Sequence, residues 1–185
     1  MRVRILIERE RFMAILEVIT VPHPTLREKA LPVTAFDAEL KALVADMIET
    51  MYDEKGVGLA ANQVNVLQRV FVADCSEERD QPIVFVNPEI LEVSEETDAA
   101  EEGCLSLPTL YGGPVIRPIA VRVRAQDENG EFFEMEADEL LARCIQHEYD
   151  HLEGVLFIDY LSRLKQQRIL KKLEKVMKER EEEEA

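Results

Sequence analysis

The strongest chemical signal in the chain is the run His147-Glu148-Tyr149-Asp150-His151. On a helix, positions i and i+4 share one face, so both imidazoles can reach a single metal ion. Glu148 lies one step round the helix from His147, where its carboxylate can contact a metal-associated water without being a ligand. Metal-assisted hydrolysis needs that arrangement, because the ion acidifies water and the carboxylate moves the proton. The plain alternative is a chance pattern on an exposed helix. Leu140, Leu141, Cys144 and Ile145 argue against it: they make the preceding turns apolar, and His147 and His151 extend the face of Leu140 and Cys144. Two histidines and a glutamate on a buried helix demand partners.

A catalytic metal usually has a third protein ligand and an open position. A downstream glutamate and a cysteine are the two candidate types. Glu174 and Glu179 lie on a basic C-terminal helix, where they read as ordinary i,i+4 partners for lysines. Cys104 sits in Glu102-Gly103-Cys104-Leu105-Ser106-Leu107-Pro108, where Gly103 permits an unusual backbone and Pro108 ends a strand. Cys75 and Cys144 read as small buried hydrophobes. Three scattered cysteines are too few for a disulfide framework.

The elements that position these residues follow from hydrophobic period. Leu40, Leu43, Val44, Met47, Ile48 and Met51 repeat at helical spacing, with Asp37 as cap and Gly56 closing the last turn. The segment Gly56-Val57-Gly58-Leu59-Ala60-Ala61-Asn62-Gln63 reads as small and flexible. Strands are expected at Arg69–Ala73, Ile83–Val86, Ile90–Val93, Ile119–Ala125 and Glu131–Glu136, the last two joined through Asn129-Gly130. A second helix is expected from about Asp138 to Leu152, stopping near Gly154, and a third over about Leu161–Glu179. Helices segregated from antiparallel strands predict an α+β fold, with the sheets packed around the buried metal-binding helix.

The chain has 185 residues, 46% of them apolar, which suits one domain with one sizeable core. No apolar run spans a bilayer, and Met1–Phe12 lacks the continuous apolar stretch of a secretion signal, so a cytoplasmic location is expected. The net charge of −16 is unevenly spread. Residues 161–180 carry eight basic and two acidic side chains, a net +6, and Glu181–Glu184 add −4, leaving −18 on residues 1–160. An acidic body argues against DNA binding. The basic segment reads most simply as a solvated helix face.

Three segments together resemble the peptide deformylase family: Gly56-Val57-Gly58-Leu59-Ala60-Ala61-Asn62-Gln63, Glu102-Gly103-Cys104-Leu105-Ser106 and Gln146-His147-Glu148-Tyr149-Asp150-His151. All three in this order are highly specific, and the resemblance runs from about Met13 to Arg180. It implies removal of the formyl group from the N-terminal formyl-methionine of nascent peptides, releasing formate. Carried over by motif position, Cys104, His147 and His151 hold one divalent metal ion, physiologically Fe²⁺, with Zn²⁺ or other divalent ions able to occupy the site. Glu148 moves protons, while the side-chain amide of Gln63 and the backbone N–H of Leu105 stabilise the oxyanion. Val57 and Gly58 pair with the extended substrate, and Val57, Leu140 and Cys144 line the methionine pocket. In some bacterial relatives the C-terminal helix docks on the ribosome. The +6 charge of residues 161–180 suits contact with RNA, and the acidic tail counts against it. Family members usually begin near Met13, so residues 1–12 are read as an N-terminal extension and 13–185 as the catalytic domain.

Arg143 departs from relatives that carry an uncharged residue there; facing the pocket, it would favour acidic residues further along the substrate. Thr109–Gly113 also departs, at the far end of the groove. Arg117 is either a plain surface arginine or a brace for the cysteine strand through Glu102. Two competing functions remain: a zinc endopeptidase using His147, His151 and a downstream glutamate such as Glu174, and a non-enzymatic peptide- or ribosome-binding homologue.

Overall fold

A computed structural model describes residues 14–184; the proposed extension at 1–12 lies outside the described residues. The first long helix, α1 (Ala38–Asp53), starts where expected, because the Asp37 side chain accepts from Glu39 N and Leu40 N. Its last turn closes differently. Lys55, not Gly56, takes the left-handed conformation, at φ 57°, and Gly56 N–H returns to Met51 O at 2.9 Å.

Seven strands follow: β1 (Gly58–Ala60), β2 (Val70–Ala73), β3 (Ile83–Val93), β4 (Thr97–Cys104), β5 (Leu107–Pro118), β6 (Ala120–Gln126) and β7 (Phe132–Asp138). Five form one antiparallel sheet in the order β1-β2-β3-β6-β7, and β4 pairs with β5 in a second. The two apolar runs expected at Ile83–Val86 and Ile90–Val93 are one strand, bulged where Asn87 adopts φ 49°. The Asp127–Gly130 hairpin forms as expected, with Gly130 at φ 85° and the Asp127 carboxylate accepting from Asn129 N and Glu131 N.

β2 reads Val-Phe-Val-Ala and is buried on both faces. Val70 and Val72 pack with Leu40, Val44, Met47 and Met51 of α1. Phe71 and Ala73 face the opposite way, toward Ala142, Ile145 and Leu152. A strand with two covered faces needs no polar alternation, which is why it is a continuous apolar run.

Ala142, Ile145 and Leu152 belong to α2 (Glu139–Leu152), which touches β1, β2, β6 and β7 of the large sheet and β5 of the small one. The expected α+β arrangement, antiparallel sheets around the His-bearing helix, is therefore the one observed. The last helix, α3 (Arg163–Glu184), covers β5 through Ile169 and Leu173. It runs past the expected end at Glu179 and takes in the acidic tail. Glutamate is a good helix former, and Lys175–Glu179 and Lys178–Glu182 make i,i+4 ion pairs at 3.5 and 3.8 Å.

Candidate active site

α2 presents His147, Glu148 and His151 toward the β4–β5 turn. Cys104 ends β4, and Leu105 and Ser106 turn the chain into β5. Pro108 lies inside β5 rather than ending a strand. Gly103 does not have a positive φ; a Cβ there would sit 2.6 Å from the ring of Tyr111, an exposed side chain that would have to move aside. The strand carrying Cys104 is held by its ladder with β5, in which Gly103 pairs with Tyr111 and Cys104 with Leu107.

Among the described residues, Cys104, His147 and His151 form a group able to hold a metal ion, their ligand atoms all within 4.8 Å of one another. Cys104 Sγ lies 3.3 Å from His151 Nε2. Glu174 is exposed on α3 and has no part in the group, which removes the structural basis of the endopeptidase reading.

The donor set passes a chemical test of fit. His147 Nδ1 lies 2.9 Å from Glu102 Oε2, which fixes the ring and leaves Nε2 as the nitrogen for a metal. Burial lowers the pKa of His151 and favours its neutral form. In His147 burial also lowers it, but the contacts with Cys104 and Glu102 outweigh this and raise the value well above the ordinary one, so a bound cation would have to displace that proton. One thiolate and two imidazoles suit Fe²⁺ and Zn²⁺ alike.

Glu102 is the centre of a charge cluster. Its carboxylate accepts from Arg117 Nε at 2.6 Å and Nη2 at 3.0 Å, and from Arg143 Nη1 at 2.8 Å. Arg117 also reaches Asp150 Oδ2 at 2.9 Å. Burial pushes the Glu102 carboxyl up, but the bonds from His147 and Arg117 outweigh it and hold the group well below the usual carboxylate range. Arg117 is thus the brace, at 4% exposure, and not a surface arginine. Arg143 lines the cavity, yet its guanidinium is committed to Glu102, Val115 O and Asp98 O. Its charge is compensated there, so the structure gives no support to a preference for acidic substrates. The link from Glu102 to His147 was missed in the sequence; its only signal was the place of Glu102 two residues before Cys104.

Glu148 is buried on the same face, and burial raises its pKa to about 7. Its Oε2 has no protein hydrogen-bond partner among the described residues. Gln63, 1% exposed, is oriented by its own carbonyl: Oε1 accepts from Ala60 N at 3.0 Å. That turns Nε2 toward Ser106 Oγ at 3.2 Å and Cys104 Sγ at 3.5 Å. The segment Gly56–Gln63 is not flexible. Leu59, Ala60 and Ala61 are fully buried, and the segment forms β1 and a 3₁₀ turn.

These residues open into a cavity of about 780 Å³. Val57, Gly58, Leu140, Cys144, Leu105 and Gln63 all line it, beside Cys104, His147 and Glu148. Leu140 stands at the mouth, 53% exposed. The divergent 109–113 segment supplies Thr109, Leu110 and Tyr111 to the far wall, and α3 contributes Arg180, which was not anticipated.

Gly58 is a packing requirement. A Cβ there would run into Glu148 Oε1 and lie 2.8 Å from Cys144 Sγ. Gly58→Ala is expected to displace Glu148 and cut kcat/KM by about a hundredfold, since a misplacement near 1 Å has that effect, while metal content stays stoichiometric. Steady-state kinetics with metal analysis checks this; unchanged kcat/KM refutes it.

Behind β1, Asp74 is 1% exposed and receives bonds from Tyr52 Oη, Ser76 N, Ser76 Oγ and Gln81 N at 2.5–3.0 Å. Burial raises its pKa, but the Ser76 and Tyr52 bonds outweigh this and hold it below the ordinary value. A depressed carboxylate stabilises the fold fully above its unfolded pKa of about 3.9 and loses that contribution as pH falls through the folded value. Asp74→Asn is therefore expected to be less stable than wild type near neutral pH, with the gap closing below about pH 4. Urea unfolding across that range tests it; a gap independent of pH contradicts it.

The fold and the site together define a class: α+β proteins in which a buried His-Glu-x-x-His helix is completed by a cysteine from a strand turn, at the floor of a groove. A family model described as polypeptide deformylase matches residues 15–167. The peptide deformylase of Pseudoalteromonas translucida is 55% identical over 166 residues, covering 90% of this chain and 98% of the relative. That of Chromohalobacter salexigens is 53% identical over 163 residues, covering 88% and 95%. Among solved structures, a peptide deformylase from Legionella pneumophila matches with a TM-score of 0.86 at 44% identity, over 90% of this chain and 98% of that one. A peptide deformylase from Ehrlichia chaffeensis in complex with actinonin matches with a TM-score of 0.84 at 38% identity, over 88% and 98%. The chain belongs to the polypeptide deformylase family, whose members are hydrolytic enzymes of protein biosynthesis. The relatives are named as an enzyme, which favours the enzymatic reading over the non-enzymatic one.

Proposed function

We propose that this protein removes the formyl group from the N-terminal formyl-methionine of newly synthesised proteins and releases formate, using one divalent ion held by Cys104, His147 and His151. The observation that carries the reading is the convergence of that triad, the buried Glu148 carboxylate and the inward-turned Gln63 amide on one groove. Fe²⁺ is proposed as the physiological ion, with Zn²⁺ able to substitute. Bound there, such an ion supplies Lewis acidity toward water and the formyl oxygen.

The chain's own groups do the rest. Glu148 takes a proton from the attacking water and returns it to the leaving amine; a pKa near neutrality suits both steps. Gln63 Nε2 and Leu105 N–H donate to the oxygen on which charge develops. Val57 and Gly58 pair with the extended substrate backbone, which is strand addition to the open edge of β1. Val57, Leu140 and Cys144 bury the methionine side chain.

The proposal extends to residues 13–185 acting as one catalytic domain in the cytoplasm. Among the described residues no helix is long and apolar enough to cross a membrane. It extends also to ribosome contact through the basic part of α3, whose solvent side carries Lys171, Lys172, Lys175 and Lys178. Co-sedimentation that is unchanged by deleting residues 161–185 refutes the ribosome contact.

Anaerobically purified protein is expected to carry one metal per chain and to release formate from formyl-Met-Ala-Ser. Chelation should abolish release, and added Fe²⁺ or Zn²⁺ should restore it. Metal-loaded protein inert toward formyl-methionyl peptides overturns the reading.

A further inference from the structure

The open edge of the groove is held from behind by a loop that takes no part in the cavity. Arg79 lies on the connection between β2 and β3. Its Nη2 donates to Gly56 O, and its guanidinium carbon sits 5.6 Å from the centroid of the Tyr52 ring. Tyr52 Oη donates to Asp74 Oδ2 at 2.5 Å, and Asp74 N–H donates to Val57 O at 2.8 Å. The carbonyls of Gly56 and Val57, the two residues before Gly58, are therefore both tied to one cluster made by Tyr52 of α1 and by Asp74 and Arg79 of the connection between β2 and β3.

Further features mark the Arg79 contact as specific. Arg79 holds φ 54°, in the left-handed region. A non-glycine residue stays there only where its surroundings over-determine it. Those surroundings are the bonds of Ser76 N, Ser76 Oγ and Gln81 N to Asp74, which fix the loop on either side of Arg79. Arg79 Nε is buried with no hydrogen-bond partner among the described residues, and the guanidinium donates at its other end, to Gly56 O. The tethered strand needs such help. β1 is three residues long and, among the described residues, pairs only with β2, at the edge of its sheet. It is entered from Lys55, itself at φ 57°.

We propose that Arg79 is a positioning residue for substrate: by holding the Gly56 carbonyl it fixes the open edge of β1, on which the backbone of the formyl-peptide pairs. The inference rests on the deformylase reading above. Arg79 touches neither the metal group nor the cavity, so its effect must scale with how much substrate backbone lies along β1. Loss of a charge-assisted bond that orders this edge should act on binding rather than on the chemical step.

The test compares formyl-methionine, with one residue of backbone, and formyl-Met-Ala-Ser, with three, on metal-loaded wild type, Arg79→Ala and Arg79→Lys. Formate release by wild type from both substrates checks the underlying reading independently of Arg79. For Arg79→Ala, KM for the tripeptide is expected to rise by about tenfold. Its kcat, its metal content and its KM for formyl-methionine should stay within about twofold. Arg79→Lys, which keeps one charged donor, should recover part of the tripeptide KM. An equal change in KM for both substrates, or none for either, overturns the proposal. A purely structural role would instead lower the apparent kcat for both substrates alike through a smaller folded fraction, with each KM unchanged, and thermal unfolding of each variant reads that fraction directly.

Discussion

Glu148→Ala is expected to lower kcat for formate release by about a thousandfold while metal content remains at one ion per chain. The magnitude is that of losing a positioned general acid–base group. The separation of the two effects follows from geometry. Glu148 lies outside the group formed by Cys104, His147 and His151, so binding of the ion does not depend on it. The carboxylate is buried by Gly58 and Cys144, and its Oε2 has no protein partner among the described residues. Glu148→Gln therefore loses no protein hydrogen bond at that atom and should melt no lower than wild type, yet it is expected to be as inactive as Glu148→Ala. Metal analysis, thermal unfolding and a formate assay on the same preparations decide the matter. Activity within about tenfold of wild type in either variant would remove Glu148 from the proposed mechanism.

Glu102→Ala is expected to be the most destabilising single change in the site. Three groups depend on this carboxylate: Arg117, Arg143 and His147. Arg117 is 4% exposed and, among the described residues, keeps only Asp150 as an ionic partner once Glu102 is gone. Removing one member of a buried ion pair leaves an uncompensated charge and costs about 3–5 kcal/mol. For a chain of this length that corresponds to a fall in melting temperature of roughly 10 °C. His147 also loses the acceptor that fixes its ring, so metal affinity should fall by about 10–100-fold. Glu102→Gln keeps the shape and should lie between the two. A melting temperature within about 2 °C of wild type, or unchanged metal affinity, would show that Glu102 is not the centre of this cluster.

Much of the helical framework was legible in the sequence. α1 and α2 begin next to the residues expected to cap or open them, and α2 ends at Leu152 as its pattern required. Strands with apolar alternation or a tight Asn-Gly turn were legible for the same reason: the signal is local. β4 and β5 were not. Residues 97–102 are mostly acidic or small, and β5 contains Pro108, Gly112, Gly113, Pro114 and Pro118. Such a stretch has low strand propensity, and it forms a strand because it pairs in a two-stranded sheet where prolines are tolerated. The Gly56–Gln63 segment was misjudged as flexible because its small residues are packed by β2 and α2, which are distant in sequence.

Helical periodicity by itself placed His147 and His151 on one face with Glu148 beside them, since three and four residues span one turn. The order of three motifs then tied the chain to its family. Only the tertiary structure brought Cys104 Sγ to within 3.3 Å of His151 Nε2 across 47 residues, and bonded Glu102 to His147 across 45. The physical reason is a matter of range. Spacing within a helix is set by backbone geometry that every residue carries. Which strand turn meets that helix, and which carboxylate balances its histidine and two arginines, is decided by how two sheets pack around it.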